Sequence, residues 1–257
     1  MEYLEIQGER IPRLGLGTWN MQGDICYQGT LSALELGYRH IDTAEMYRNE
    51  AEVGRAIVDS GVDRSEIFLT TKVSASHLHR EGVLQAAESS LMRLGTEAID
   101  LYLVHWPNDS IPIEETMAAM NELVHQGMVR RIGVSNFSVS QLKEAEAASH
   151  LRIFTNQIEY YIGRPQEAML SYCQENEILL TAYSPLDRGR LRRNQTLGAI
   201  SELHGVSVAQ VALRWLIQQD NVVAIPKSAH PGRQRENLDL FGFELSPEQM
   251  TQLAAAY

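Results

Sequence analysis

Ile67-Phe68-Leu69-Thr70-Thr71-Lys72-Val73 and Ile99-Asp100-Leu101-Tyr102-Leu103-Val104-His105 are short apolar runs, each carrying an ionisable side chain near its C-terminal end. Between them, Glu81–Leu94 has helical periodicity and stops at Gly95, a residue suited to the left-handed turn that ends a helix. Strand, helix and strand in that order read as a βαβ unit with parallel strands. The alternation continues in both directions. Leu14–Gly17 and Arg39–Asp42 lie upstream; Val129–Val134, Ile153–Gln157, Ile178–Tyr183 and Val222–Pro226 lie downstream. Helical segments fill the gaps at about Tyr27–Leu36, Glu50–Asp59, Ile113–His125, Ser138–Ala148, Pro165–Asn176 and Leu197–Gln219, the last broken near Gly205. Gln234–Leu238 and Pro247–Ala255 follow the eighth strand.

Eight strands alternating with helices in 257 residues predict a closed (β/α)8 barrel of the TIM type, in the α/β class, as one domain over residues 1–257. The alternative is an open doubly wound sheet. It is weakened because Gly15-Leu16-Gly17-Thr18-Trp19-Asn20 lacks the third glycine of a dinucleotide fingerprint. Ahead of the first strand, Tyr3–Ile6 and Arg10–Pro12 flank Gln7-Gly8-Glu9. They read as an N-terminal β-hairpin closing the bottom of the barrel. Ser138 with Gln141 reads as a capping box, Gly127 as a helix end, and Ser246-Pro247 as a helix start.

Composition narrows the function classes. Hydrophobic residues at 44% and charged residues at 21% are ordinary globular usage, which excludes wholesale disorder. No charge-free apolar run approaches the ~20 residues of a membrane span. Met1-Glu2-Tyr3-Leu4-Glu5 does not resemble a signal peptide, and Cys26 and Cys173 cannot form a disulfide framework, so a cytoplasmic protein is expected. Net charge is 22 − 33 = −11, which argues against nucleic-acid or anionic-membrane partners.

In a (β/α)8 barrel the active site is built at the C-terminal ends of the strands. Seven successive strands deliver polar groups there: His40 and Asp42, Thr70 to Lys72, His105, Ser135 and Asn136, Asn156 and Gln157, Tyr183 and Ser184, and Lys227 and Ser228. Taken singly, each has a structural reading: a helix cap for Asp42, a core histidine for His105, a surface tyrosine for Tyr47. Their convergence on one face predicts a catalytic pocket. His77-x-His79 is too weak a pattern for a metal site, and no metal is expected.

Several segments resemble the aldo-keto reductase family. Asp42-Thr43-Ala44-Glu45-Met46-Tyr47-Arg48-Asn49-Glu50 is similar to its signature. Leu14-Gly15-Leu16-Gly17-Thr18-Trp19, His105-Trp106-Pro107, Ile132–Phe137, Asn156-Gln157 and Ile225-Pro226-Lys227-Ser228 follow in the family's order, with Arg233 and Glu236-Asn237 after them. The likeness is greatest to small prokaryotic-type members such as the 2,5-diketogluconate reductases. It implies a (β/α)8 barrel that reduces aldehydes and ketones to alcohols with NADPH.

By that resemblance the catalytic residues are Asp42, Tyr47, Lys72 and His105. Hydride arriving at a carbonyl carbon leaves charge on oxygen, which needs a proton donor. A tyrosine with its ordinary pKa of about 10 is a reluctant acid, and a nearby ammonium stabilises its phenolate. Lys72 would do so, Asp42 would orient Lys72, and His105 would hydrogen-bond the substrate oxygen. The resemblance further implies that Tyr183 stacks on the nicotinamide, and that Ser135, Asn136 and Gln157 hold its carboxamide. It places Gly17, Thr18 and Trp19 beside the cofactor, Ser184 and Leu186 by the pyrophosphate, Lys227, Ser228 and Arg233 around the 2′-phosphate, and Glu236 and Asn237 at the adenosine. Trp19, Tyr47, His105 and Trp106 are expected to line the substrate side.

Asp187-Arg188-Gly189-Arg190-Leu191-Arg192-Arg193 departs from the pattern by placing an acid near the expected pyrophosphate path. Larger members continue into a C-terminal loop that covers the substrate, whereas this sequence ends at Tyr257, so a shallow pocket and broad activity are expected. The sequence does not name a substrate. A monomer binding only small molecules is expected. The competing reading is a non-catalytic NADP-binding regulatory or structural protein on the same fold.

Overall fold

The computed structural model describes residues 2–256. Strands β1 (Tyr3–Ile6) and β2 (Glu9–Pro12) pair antiparallel across a two-residue turn, Gln7-Gly8. Both turn residues have positive φ, 49° and 77°, as in the turn whose twist matches a hairpin. Glu9, expected in the turn, instead pairs with Ile6, and its Oε1 accepts from Arg131 Nε and Nη2 at 2.9 and 2.7 Å.

Among the described residues, the main sheet has eight parallel strands in sequence order. They are β3 (Leu16–Gly17), β4 (His40–Asp42), β5 (Phe68–Val73), β6 (Ile99–Val104), β7 (Val129–Ser135), β8 (Thr155–Glu159), β9 (Leu179–Tyr183) and β10 (Val222–Ala224). Parallel bridges from Leu14 to Ala224 and from Gly17 to Lys227 join its two edges. Gly15 N–H donates to Ala224 O at 2.9 Å and Gly17 N–H to Pro226 O at 3.2 Å. The sheet is therefore a closed barrel. Closure explains Gly17: a Cβ there would lie 2.7 Å from the Ile225 carbonyl oxygen.

Among the described residues, ten α-helices surround the strands: α1 (Gly23–Glu35), α2 (Glu50–Asp59), α3 (Arg80–Leu94), α4 (Ile113–His125), α5 (Val139–Ala148), α6 (Glu167–Glu175), α7 (Gln195–His204), α8 (Val208–Ile217), α9 (Pro231–Leu238) and α10 (Pro247–Ala254). The long segment expected over 197–219 is two helices. Gly205, at φ 65°, caps α7, and Ser207 with Gln210 forms a capping box that opens α8. The boxes at Ser138 and Ser246 are also formed.

Side chains alternate along each strand between the helices and the barrel axis. On β5 and β6, Leu69, Val73, Tyr102 and Val104 pack in the outer core beneath the helices. Leu101 and Leu103 point inward, where they meet Ile6, Ile11, Phe154, Leu179 and Val223. The hairpin thus supplies Ile6 and Ile11 as an apolar plug at the N-terminal end. Lys72 shares the inward phase, above this plug. Among the described residues, no helix is long and apolar enough to cross a membrane.

Candidate active site

Asp42 is the last residue of β4, and Lys72 lies one residue before the end of β5. Lys72 Nζ donates to Asp42 Oδ1 at 2.6 Å and to the Thr43 carbonyl at 2.8 Å. Both side chains are buried, so each charge depends on the other for solvation lost to burial. Burial by itself would lower the Lys72 pKa, but Asp42 and Tyr47 outweigh it, and the net shift is upward. Lys72 is therefore an ammonium at neutral pH.

Tyr47 closes the single helical turn Glu45–Tyr47 that follows β4. Lys72 Nζ lies 5.1 Å from its ring centroid. Its pKa is raised: burial is the largest cause, and the Lys72 ammonium only partly offsets it. This differs from the lowering expected from the sequence, in which the ammonium was legible and the burial was not.

His105 directly follows β6, and its N–H still pairs with Val73 O at 3.0 Å. Its ring meets that of Tyr47 edge-on, with centroids 5.5 Å apart. Burial, aided by the Lys72 charge, lowers its pKa to about 3, so the imidazole is neutral. Among the described residues, His105 Nδ1 has no hydrogen-bond partner. The four residues thus form one cluster of a charged pair, a protonated phenol and a neutral imidazole.

A hydrogen-bonded chain extends from this cluster. Gln157 Nε2 donates to Asp42 Oδ2 at 2.7 Å, and the Gln157 carbonyl accepts from Ser135 Oγ at 2.8 Å. Asn136 Nδ2 donates to Ser135 Oγ and to the His105 carbonyl, both at 3.0 Å. Tyr183 Oη donates to Asn136 Oδ1 at 2.8 Å. Asn136 holds a left-handed backbone, φ 64°, which is uncommon outside glycine and tends to mark functional positions. The polar residues expected around a nicotinamide therefore converge beside the Lys72–Asp42 pair.

Trp19 and Trp106 are 49% and 47% exposed, which places them at the surface rather than in the core. The Arg188 guanidinium lies 5.3 Å from the Trp19 ring centroid. Thr18 is fully buried and spends its hydroxyl on the Asp42 carbonyl at 2.9 Å, joining the loop after β3 to β4. Ser184 and Asp187 have positive φ in the turn after β9, and Leu186 packs against the outer core. Asp187 lies 3.8 Å from the exposed Arg190.

Lys227 and Arg233 are exposed and belong to no ion pair among the described residues. Arg233 is in the first turn of α9, whose partial positive charge adds to theirs. Ser228 is buried at the same place, Asn237 is buried farther along α9, and Glu236 is half-buried. Arg233 in the first turn of a helix, with Lys227 four residues ahead of that helix and neither in an ion pair among the described residues, fits a phosphate group. With the half-buried Tyr183 ring and the converging amides, these residues fit a phosphorylated nicotinamide dinucleotide.

Other residues around the site were given no role from the sequence. Asn49, in the signature segment, accepts from Thr43 Oγ1 at 2.7 Å and donates to the Thr18 and Met21 carbonyls at 3.0 and 2.9 Å. Gln22 Nε2 donates to the Tyr47 carbonyl at 2.6 Å. Gln234 Nε2 donates to Gly29 O at 2.7 Å and Ser228 O at 2.8 Å, anchoring α9 to α1. Their polar character was a signal, but, apart from the Thr43 hydroxyl, these partners are backbone groups, which sequence patterns do not display.

Residues 13–257 match the model of the Aldo/keto reductase family. The chain is 42% identical over 249 residues to a glyoxal reductase of Bacillus subtilis, covering 96% of this chain and 90% of that protein. It is 40% identical over 238 residues to 2,5-diketo-D-gluconic acid reductase B of a Corynebacterium, covering 92% and 86%. A crystal structure of a Bombyx mori aldo-keto reductase in complex with NADP superposes with TM-score 0.93 at 34% identity, covering 99% of this chain and 92% of that one.

Proposed function

Because the chain belongs to the aldo/keto reductase family, we propose that this site reduces small aldehydes and ketones to alcohols, with Tyr47 as the proton donor. The enzyme class is that of an NADP(H)-dependent oxidoreductase acting on carbonyls. Bound NADPH supplies the hydride. Ser135, Asn136, Gln157 and Tyr183 would hold its nicotinamide end, and Lys227, Ser228 and Arg233 its 2′-phosphate.

The chain's own residues manage the proton and the charge. As the substrate oxygen becomes negative, the Tyr47 O–H bond breaks and the alcohol O–H bond forms. The resulting phenolate is stabilised by the Lys72 ammonium, and solvent later returns the proton. Neutral His105 can donate one N–H to the substrate oxygen and orient it without competing as a stronger acid. Trp19 and Trp106 would supply apolar contact beside the reacting carbonyl. The observation carrying this reading is the buried Lys72–Asp42 pair at 2.6 Å, with its ammonium directed toward the Tyr47 ring. A lone structural lysine would not need a phenol beside it.

Small activated carbonyls such as glyoxal and methylglyoxal are the proposed substrate class, in line with the relative named glyoxal reductase. The test is loss of NADPH absorbance across a panel running from methylglyoxal to aromatic aldehydes and a ketosteroid. Turnover fastest with the small dicarbonyls supports the proposal. NADPH binding without turnover on any carbonyl would point to a binding protein instead.

A further inference from the structure

Tyr47 sits in a single helical turn, Glu45–Tyr47, closed by two local backbone bonds, Tyr47 N–H to Ala44 O at 2.9 Å and Arg48 N–H to Glu45 O at 3.1 Å, which shape the turn but do not tie it to the barrel. Its position must be set by what the turn touches. Gln22 holds the Tyr47 carbonyl on one side. On the other side the contact is made by Glu45, whose side chain is only 11% exposed. Glu45 Oε1 accepts from the backbone N–H of Ser74, and His77 Nδ1 lies 3.1 Å from the same oxygen. Ser74 is two residues beyond Lys72 and directly follows β5. One carboxylate therefore joins the turn that carries Tyr47 to the strand that carries Lys72.

We infer that Glu45 is a positioning residue that sets the spacing of Tyr47 and Lys72 by latching the Tyr47 turn to the Ser74 end of β5. The inference rests on the reading of Tyr47 as proton donor. The strength of the ammonium's effect on the phenol depends on their separation, as does the alignment of the phenol with a bound carbonyl. Glu45 touches neither substrate nor cofactor in this role. What matters is the reach of its side chain and one acceptor oxygen, not its charge. The ionisable groups around Tyr47 are Lys72, Asp42, His105 and Tyr183, while His77 and the buried Tyr102 face Glu45.

Reach and charge can be separated. Glu45→Asp keeps the charge and withdraws the carboxylate by one methylene. Glu45→Gln keeps the reach and the acceptor oxygen and removes the charge. With methylglyoxal and NADPH, kcat of Glu45→Asp should fall by about 10- to 100-fold, the scale of a misplaced reacting group. Glu45→Gln should stay close to wild type. The NADPH Kd should hold in both. A phenol farther from Lys72 has a higher pKa, so the alkaline limb of the kcat profile should move to higher pH in Glu45→Asp. Unchanged kcat in folded Glu45→Asp overturns the inference. So does an equal loss in Glu45→Gln, which would make charge the cause. Should Glu45→Asp not fold, Glu45→Ala takes its place with the same expected loss. Failure of both to fold also overturns the inference, because it makes Glu45 a requirement of the fold. Tyr47→Phe is measured alongside. If it retains turnover, the proton-donor reading fails; if it is inactive while Glu45→Asp is normal, only the latch fails.

Discussion

Gln157 Nε2 donates to Asp42 Oδ2 at 2.7 Å, linking β8 and β4 from opposite positions in the barrel ring. The bond joins the Lys72–Asp42 pair to the chain of Ser135, Asn136 and Tyr183. It also occupies the carboxylate oxygen that Lys72 leaves free. Proton donation and cofactor positioning therefore share one buried network, and a change on one side should be felt on the other.

Gln157→Leu should test that linkage. It leaves one oxygen of a buried carboxylate without a donor, at a cost of about 1.5–3 kcal/mol for a hydrogen bond to a charged group. Urea unfolding should show a loss on that scale, and the NADPH Kd should rise. Unchanged stability would mean that water or Lys72 satisfies Asp42 as well as Gln157 does.

Arg233 should discriminate between cofactors. Among the described residues its guanidinium has no carboxylate partner, and charge-assisted bonds to a phosphate are stronger than neutral ones. Arg233→Ala should weaken NADPH binding by ~1.5–3 kcal/mol and leave NADH binding nearly unchanged. The two dissociation constants can be read from quenching of tryptophan fluorescence. Equal losses for both cofactors would place Arg233 away from the 2′-phosphate.

Much of this arrangement was legible in the sequence. The strand runs stood out because each is a short apolar segment between helical periodicities, and their polar ends marked one face. The two-helix nature of residues 197–219 was only half visible: Gly205 marked a break, but the Ser207–Gln210 box that restarts the helix went unread. The start of α1 at Gly23 was missed because glycine is a poor helix former, although Asp24 sits favourably in the first turn. Tertiary burial explains the remaining misses. It turns the Tyr47 shift upward despite Lys72. It also hides backbone partners distant in the chain: Ser74 for Glu45, Tyr47 for Gln22 and Gly29 for Gln234.

Acid should destabilise the fold through two buried imidazoles. Burial lowers the pKa of His40 and of His105 to about 3, with Lys72 adding to both shifts. An unfolded histidine titrates at about 6.5, so below that pH the unfolded chain binds protons that the folded chain refuses. Stability from these groups is fully present above pH ~6.5 and is lost progressively as pH falls toward the folded value. Between pH 7 and 5.5 the two together should cost about 2 kcal/mol. Urea unfolding at both pH values measures this, and His105→Phe should halve the pH dependence. A flat profile would show that both rings accept protons in the folded state.

Trp19 and Trp106 should affect large substrates more than small ones. They are half exposed at the C-terminal end of the barrel, where an aromatic aldehyde can stack and methylglyoxal has little to place. Trp19→Ala should raise KM for aromatic aldehydes more than for methylglyoxal. Parallel increases would remove Trp19 from the substrate wall.

The most direct test is single-turnover and steady-state reduction of methylglyoxal by Tyr47→Phe. The substitution keeps the ring against His105 and removes only the donor. Turnover should fall on the order of 10²–10⁴-fold, the usual contribution of general acid catalysis, while the NADPH Kd stays at its wild-type value. Near-normal turnover by Tyr47→Phe would contradict the assignment of the proton to this phenol and transfer that role to another group, with His105 the first to examine.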